Sequence, residues 1–355
     1  MDFGFATLST LDICDDIAFA EEQGFTHAWL YDTQMVCADP YQCLALSALK
    51  TKSIKLGTNV TNPKSRISPV TANSFATLNA LAPGRIVMGI GTGNTARRTL
   101  GMPAAKLAEL SEHVEVCRGL FNGETVPYQE GERHRMIEFF DTDTGVINIK
   151  DRIPIYVAAS GPKTLELAGE IGDGVILFGA VGDSLLEYTL GRVRIGAERA
   201  GRRFEDLDIC VLTTCHVTQP GESLADMQAV VGPYVVSEAN IFALSVKDPN
   251  DLPEDVRDEI MAFKEAYRTP DAPIETRHLD LYKGYVKDWK PVHADLVTEK
   301  MIRQASLTGT PDELQERVRK MKALGVTQIA VHEGAPDRIR GAIEQFSTHV
   351  IRHIN

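Results

Sequence analysis

Short apolar runs alternate with helix-period segments along most of this chain, and that alternation restricts its fold more than any other feature. Strands separated by helices cannot join through tight hairpins, so they pair in parallel and the helices cover the sheet. Asp2–Leu8, His27–Tyr31, Ser53–Val60, Arg85–Gly91, Pro154–Ala159, Gly174–Gly179, Leu207–Val217 and Thr327–Val331 read as strands. Helices are expected over Asp15–Gln23, Pro40–Lys50, Val70–Leu81, Lys106–Phe121, Pro162–Ile171 and Ser184–Ala200, with a last amphipathic one from Pro336. Eight strands and about eight helices in 355 residues predict an α/β chain of the (β/α)8 TIM-barrel class, carrying insertions, as one domain over residues 1–355.

Two segments break the rhythm. In Asn122–Asp151, the pieces Met136–Phe140 and Gly145–Ile149 flank Asp141-Thr142-Asp143-Thr144, which predicts a hairpin inserted in a loop. Gln219–Leu307 is long and mostly helical, and an insertion of that length is expected to act as a lid that builds the substrate pocket. Beyond it, Thr310-Pro311-Asp312-Glu313 has the pattern of a capping box with proline at the first helical position.

Composition excludes several classes of partner. A net charge of −12 would repel nucleic acid or an anionic membrane surface. The six cysteines form no C-x-x-C pair, so reduced thiols and a cytoplasmic setting are expected. The chain opens directly on a strand, without the basic and apolar stretch of a signal peptide, and no run approaches the roughly 18 apolar residues of a membrane span. The nine histidines show no H-E-x-x-H motif, which removes a zinc-hydrolase reading; no G-x-S-x-G elbow or P-loop appears. No metal site is expected.

In a (β/α)8 enzyme the chemistry gathers just beyond the C-terminal strand ends. Tyr31-Asp32-Thr33-Gln34 follows the second strand, and Asp32 there either orients a ligand or caps a turn. Asn59, Val60 and Thr61 lie in a Gly/Asn-rich bend after the third strand. Gly91, Gly93 and Asn94 follow the fourth, where glycines let backbone approach a ligand. Ser160-Gly161-Pro162-Lys163-Thr164 runs from the fifth strand into a helix; its free amides, hydroxyls and cation make a ready anion site. Gly179 ends the sixth strand. His278, within the insertion, is a candidate to descend onto the site, whereas His216 and His332 read as satisfied barrel histidines.

Four segments in this order, Gly24–Asp32, Leu56–Pro63, Leu81–Gly93 and Pro154–Gly174, resemble the luciferase-like flavin- and deazaflavin-dependent oxidoreductases. The nearest branch resembles methylenetetrahydromethanopterin reductase. The likeness covers residues 1 to about 218, returns near 308–346, and is weak through the insertion. It implies a cofactor ring across the barrel mouth, backed by a bulge with a non-prolyl cis peptide at Asn59–Val60. It also puts the cofactor phosphate on Ser160–Thr164, with Gly93 and Asn94 near the ring or its side chain. Many relatives follow the strand-two Asp with His; here Thr33 and Gln34 follow Asp32, so Asp32 and Gln34 become the candidate acid or hydrogen-bond donors at that corner.

Two chemistries fit the resemblance. The main expectation is a reduced-FMN monooxygenase on a small organic substrate, served by a separate flavin reductase, because the rim offers few cations beyond Lys64 and Arg66. The alternative is a hydride-transfer reductase or dehydrogenase using the deazaflavin coenzyme factor 420, whose anionic tail would want such cations. A flavin-binding protein without turnover is a further alternative. A homodimer or homotetramer is expected.

Overall fold

In the computed structural model, eight parallel strands close into a barrel in chain order. Strand one, Asp2–Thr7, pairs with strand two, His27–Leu30; strands three to six are Lys55–Thr58, Ile86–Ile90, Ile155–Ala159 and Gly174–Phe178. Strand seven, Asp208–Val217, receives strand six on one side and strand eight, Gln328–His332, on the other. Strand eight returns to strand one, Asp2 opposite Gln328, and closes the ring. The described residues are 1–267 and 271–354, so residues 268–270 of the expected insertion, and residue 355, lie outside them.

Strand residues are buried on both sides, which is why the strands read as nearly continuous apolar runs. Phe3, Phe5, Leu30 and Leu56 face the helices in the main core, while Trp29, Tyr156, Ile176 and Leu212 fill the barrel. Trp29 needs glycines around it. A Cβ on Gly57 would stand 2.6 Å from its ring, and one on Gly4 3.0 Å from its Nε1. The indole N–H donates to Gln328 Oε1 at 3.0 Å, linking the second strand to the last.

The helices fall where periodicity put them, from Ile13–Glu22 to Pro311–Ala323, and the capping box is formed: Glu313 Oε2 accepts from the Thr310 amide at 2.8 Å. The last helix starts three residues later than Pro336, at Ile339. The hairpin is displaced. Val126–Glu130 pairs with Arg133–Ile137, and Met136–Phe140 does not pair with Gly145–Ile149. A two-residue hairpin loop needs positive φ at its first central position. Gly131 supplies it at φ 60°, whereas Asp141–Thr144 closes on itself through the Thr144 hydroxyl and the Asp141 carbonyl.

The long insertion is helical, with Leu224–Ser245, Glu254–Ala266, Arg277–Tyr282 and Glu299–Ala305. It has its own apolar cluster around Val235, Phe242, Ile260, Phe263 and Ile302, so it is a packed cap on the barrel. A short strand, Leu307–Gly309, pairs with the end of strand seven. Among the described residues no helix is long and apolar enough to cross a membrane.

Candidate active site

A cleft of about 980 Å³, open space at its mouth included, lies over the C-terminal ends of the strands. Its walls come from the strand ends (Leu8, Tyr31, Asn59, Val60, Gly91, Ala159) and from the cap (Ile241, Ser245, Tyr285, Val286). Phe178, Thr33 and Val36 also line it.

The bend after strand three enters this cleft as a bulge. The Asn59–Val60 peptide is cis, at the position the resemblance implies. Thr61 lies behind the wall, fully buried, where its amide donates to the Gly89 carbonyl at 2.9 Å and its hydroxyl accepts from Tyr41 at 3.1 Å. Gly91 is glycine because a Cβ would press on Val60 Cγ2 at 3.0 Å. Gly93 has φ 75° and is packed on Asn62, and it opens the short helix Asn94–Arg98.

Two buried polar atoms here have no partner: Asp32 Oδ2 and Asn59 Nδ2. Burial raises the Asp32 pKa, against the opposing effects of the Thr61 hydroxyl and the Arg66 charge. Of the two, Asn59 lines the cleft and Asp32 lies behind it, so the Asn59 amide is the group that a ring with an amide-like edge would satisfy.

On the opposite side stands the helix Pro162–Ile171. Its N-cap is Gly161 and no side chain caps it, so Ser160 is not a capping serine and the first-turn amides keep their capacity for an anion. Ser160, Gly161 and Thr164 line the cleft; Pro162 and the exposed Lys163 stand just behind it.

The structure thus brings Asn59, Val60, Gly91, Gly93, Asn94, Ser160, Gly161 and Thr164 into one cleft. It does not bring in the three expected catalytic side chains. Asp32 is covered. Gln34 Nε2 is turned away to the Ala96 carbonyl. His278 packs on Gly101, outside the cleft wall. Gly179 is also outside the wall, beneath Glu238. Lys64 and Arg66 are engaged by Glu109 and Asp39.

Sequence reasoning missed the aromatic residues. Tyr31 lines the cleft, and its hydroxyl hydrogen-bonds His332 Nδ1 at 2.7 Å. The hydroxyl of Tyr285 is shared with Ser237 and, at 3.2 Å, with Thr95, joining cap, long helix and strand-four loop. Leu8, Tyr31 and Phe178 stand at the ends of expected strands, a signal that could have found them. Tyr285 and Val286 lie in the cap, where no periodicity points to the cleft.

Comparison with known proteins adds the class. The family profile described as luciferase-like monooxygenase matches residues 12–328. The 5,10-methylenetetrahydromethanopterin reductase of Archaeoglobus fulgidus is 32% identical over 325 residues, covering 90% of this chain and 88% of that one. An F420-dependent glucose-6-phosphate dehydrogenase of Nakamurella multipartita is 37% identical over 214 residues, 56% of this chain and 61% of that one. Among solved structures, the coenzyme F420 dependent tetrahydromethanopterin reductase from Methanopyrus kandleri matches with TM-score 0.76 at 25% identity, covering 100% of this chain and 99% of that one. Fold, cleft and relatives together define a (β/α)8-barrel oxidoreductase. The chain belongs to the luciferase-like monooxygenase family.

The expectation of a reduced-FMN monooxygenase is corrected by these relatives, which are reductases over nine-tenths of the chain and F420-dependent dehydrogenases over more than half. The rim charges misled for a physical reason. Charges at a solvated rim are screened within about 10 Å, so their number is a weak guide to which cofactor a cleft takes.

Proposed function

We propose that the chain binds a deazaflavin coenzyme of the F420 type in the cleft and moves a hydride between it and a small organic substrate, as a reductase or dehydrogenase. The carrying observation is the similarity to 5,10-methylenetetrahydromethanopterin reductases along nearly the whole chain. The cleft fits such a group: it has a bulged wall carrying the unpartnered Asn59 amide on one side and an uncapped helix N-terminus on the other. When bound, the coenzyme supplies a ring carbon that gives or takes a hydride.

The chain's own residues divide the remaining work. The Asn59–Val60 bulge backs the ring, and Asn59 Nδ2 offers it a donor. Ser160, Gly161 and Thr164 hold the phosphate at the helix N-terminus, with Lys163 beside it as a positive charge. The cap over residues 219–307 acts as a lid that excludes water, with Tyr285 tying it to the barrel loops.

Titration of the protein with coenzyme F420 and, separately, with FMN tests this reading. Fluorescence quenching is expected with the deazaflavin at micromolar or lower concentration and only weakly with FMN; binding of FMN alone would overturn it.

A further inference from the structure

The long cap helix Leu224–Ser245 borders two different cavities. Ile241 and Ser245 face the active-site cleft. Val235, Glu238, Ala239 and Phe242 follow the i, i+3, i+4, i+7 spacing of a neighbouring helix face, and they line a second cavity. The two cavities share no lining residue. The second holds about 390 Å³, open space at its mouth included. Its other walls come from the cap helices Glu254–Ala266 and Glu299–Ala305, and from Leu185 on the helix Asp183–Arg199.

Leu185, Val235, Phe242, Ile260 and Met301 make most of this wall apolar. Three polar residues interrupt it: Glu238, Glu259 and Gln304. Glu259 is engaged, since Oε1 accepts from the Thr298 hydroxyl at 3.1 Å and Oε2 pairs with Lys300 Nζ at 3.3 Å. The other two are not. Glu238 is 2% exposed, and its Oε2 has no hydrogen-bond partner among the described residues. Gln304 Oε1 is buried and equally without a partner among them. Burial raises the Glu238 pKa with no neighbouring charge to oppose it.

Two buried oxygens without donors are costly to keep in an apolar surround, where a leucine or methionine would pack at no such cost. A molecule that offsets this cost needs N–H or O–H donors at one end and an apolar body at the other. An alcohol has one O–H and no charge. A primary ammonium has three N–H donors, enough for both oxygens, and carries the counter-charge that a buried carboxylate needs. We propose that this second cavity is a binding site for a small primary alkylammonium ion, with its head group at Glu238 and Gln304 and its alkyl chain along the apolar wall. On binding, Glu238 releases its proton to solvent and pairs with the cation as a carboxylate. The site stands apart from the deazaflavin reading, because no residue of the cleft takes part in it.

The test is calorimetric titration of the coenzyme-free full chain with n-butylammonium chloride. Sodium chloride serves as the ionic blank and 1-butanol as the uncharged compound of equal chain length. Saturable one-to-one binding of butylammonium is expected, at least about 10-fold tighter than that of 1-butanol. Glu238→Gln keeps the shape and removes the charge; it should weaken butylammonium binding by about 10-fold or more and leave 1-butanol within about two-fold. Gln304→Met removes the other acceptor while the carboxyl stays in place, and should weaken butylammonium by about five-fold. A cooperative denaturation curve for each variant shows that it is folded. No saturable binding of butylammonium, 1-butanol binding as tightly, or unchanged butylammonium affinity in either folded variant would each overturn the proposal.

Discussion

The carboxyl group of Glu238, on the long cap helix, occupies the space over Gly179 where a side chain would have to go. Gly179 also has φ 64°, so strand six can end here only on a residue without a Cβ. Gly179→Ala therefore meets both a clash and a strained backbone. It should lower stability by about 2–4 kcal/mol, seen as a reduced denaturant midpoint with unchanged slope; a midpoint equal to the wild type would show that the cap moves freely.

Glu238 itself carries a pH signature. Its carboxyl is buried with Oε2 unpartnered, and burial pushes its pKa well above the usual 4.5. The folded chain keeps a proton that the unfolded chain releases above about pH 4.5. This group therefore favours folding below that pH, and the contribution is lost as pH rises through the folded pKa. Glu238→Gln keeps the shape and removes the titration. It should gain on the wild type by about 1–3 kcal/mol at pH 8 relative to pH 4.5, read from denaturation curves at the two pH values. A constant difference between the two proteins would show that the carboxyl titrates normally.

His113, buried on the helix Leu107–Phe121, has the opposite sign. Burial lowers its pKa from 6.5 to about 4. The unfolded chain binds a proton first, so this contribution is full above pH 6.5 and is lost as pH falls toward 4. By pH 5 the loss amounts to about 2 kcal/mol. His113→Leu should shrink the stability loss between pH 7.5 and pH 5 by about that amount.

The barrel was legible because two-sided burial writes each strand as an apolar run, and because caps such as Thr310–Glu313 are local. The open helix N-terminus at Pro162 was legible for the same reason, since proline at the first helical position after Ser160-Gly161 is a local signal. The hairpin was misread because the turn at Gly131 sits among polar, exposed residues that show no alternation, while a richer turn cluster lay ten residues on. Tyr285 and Val286 were not legible as site residues. They reach the mouth through the packing of the cap, and spacing along the chain does not encode those contacts. The demotion of Gln34 and His278 has the same origin: their side chains are turned by tertiary partners, Ala96 and Gly101.

The anion site makes a quantitative prediction. Ser160→Ala combined with Thr164→Ala removes the two hydroxyls that line the cleft at the helix N-terminus. Coenzyme affinity should fall by about 1–3 kcal/mol, while the thermal midpoint of the free protein stays within about 2 °C, since neither hydroxyl caps the helix. Unchanged affinity would place the phosphate elsewhere.

The central claim is that this cleft holds a deazaflavin. Isothermal titration of the purified protein with coenzyme F420 and with FMN under identical conditions tests it most directly. Saturable one-to-one binding of coenzyme F420, at least about 10-fold (1.4 kcal/mol) tighter than that of FMN and weakened in Ser160→Ala/Thr164→Ala, is the predicted result. Equal or tighter binding of FMN, or binding of neither, would contradict it.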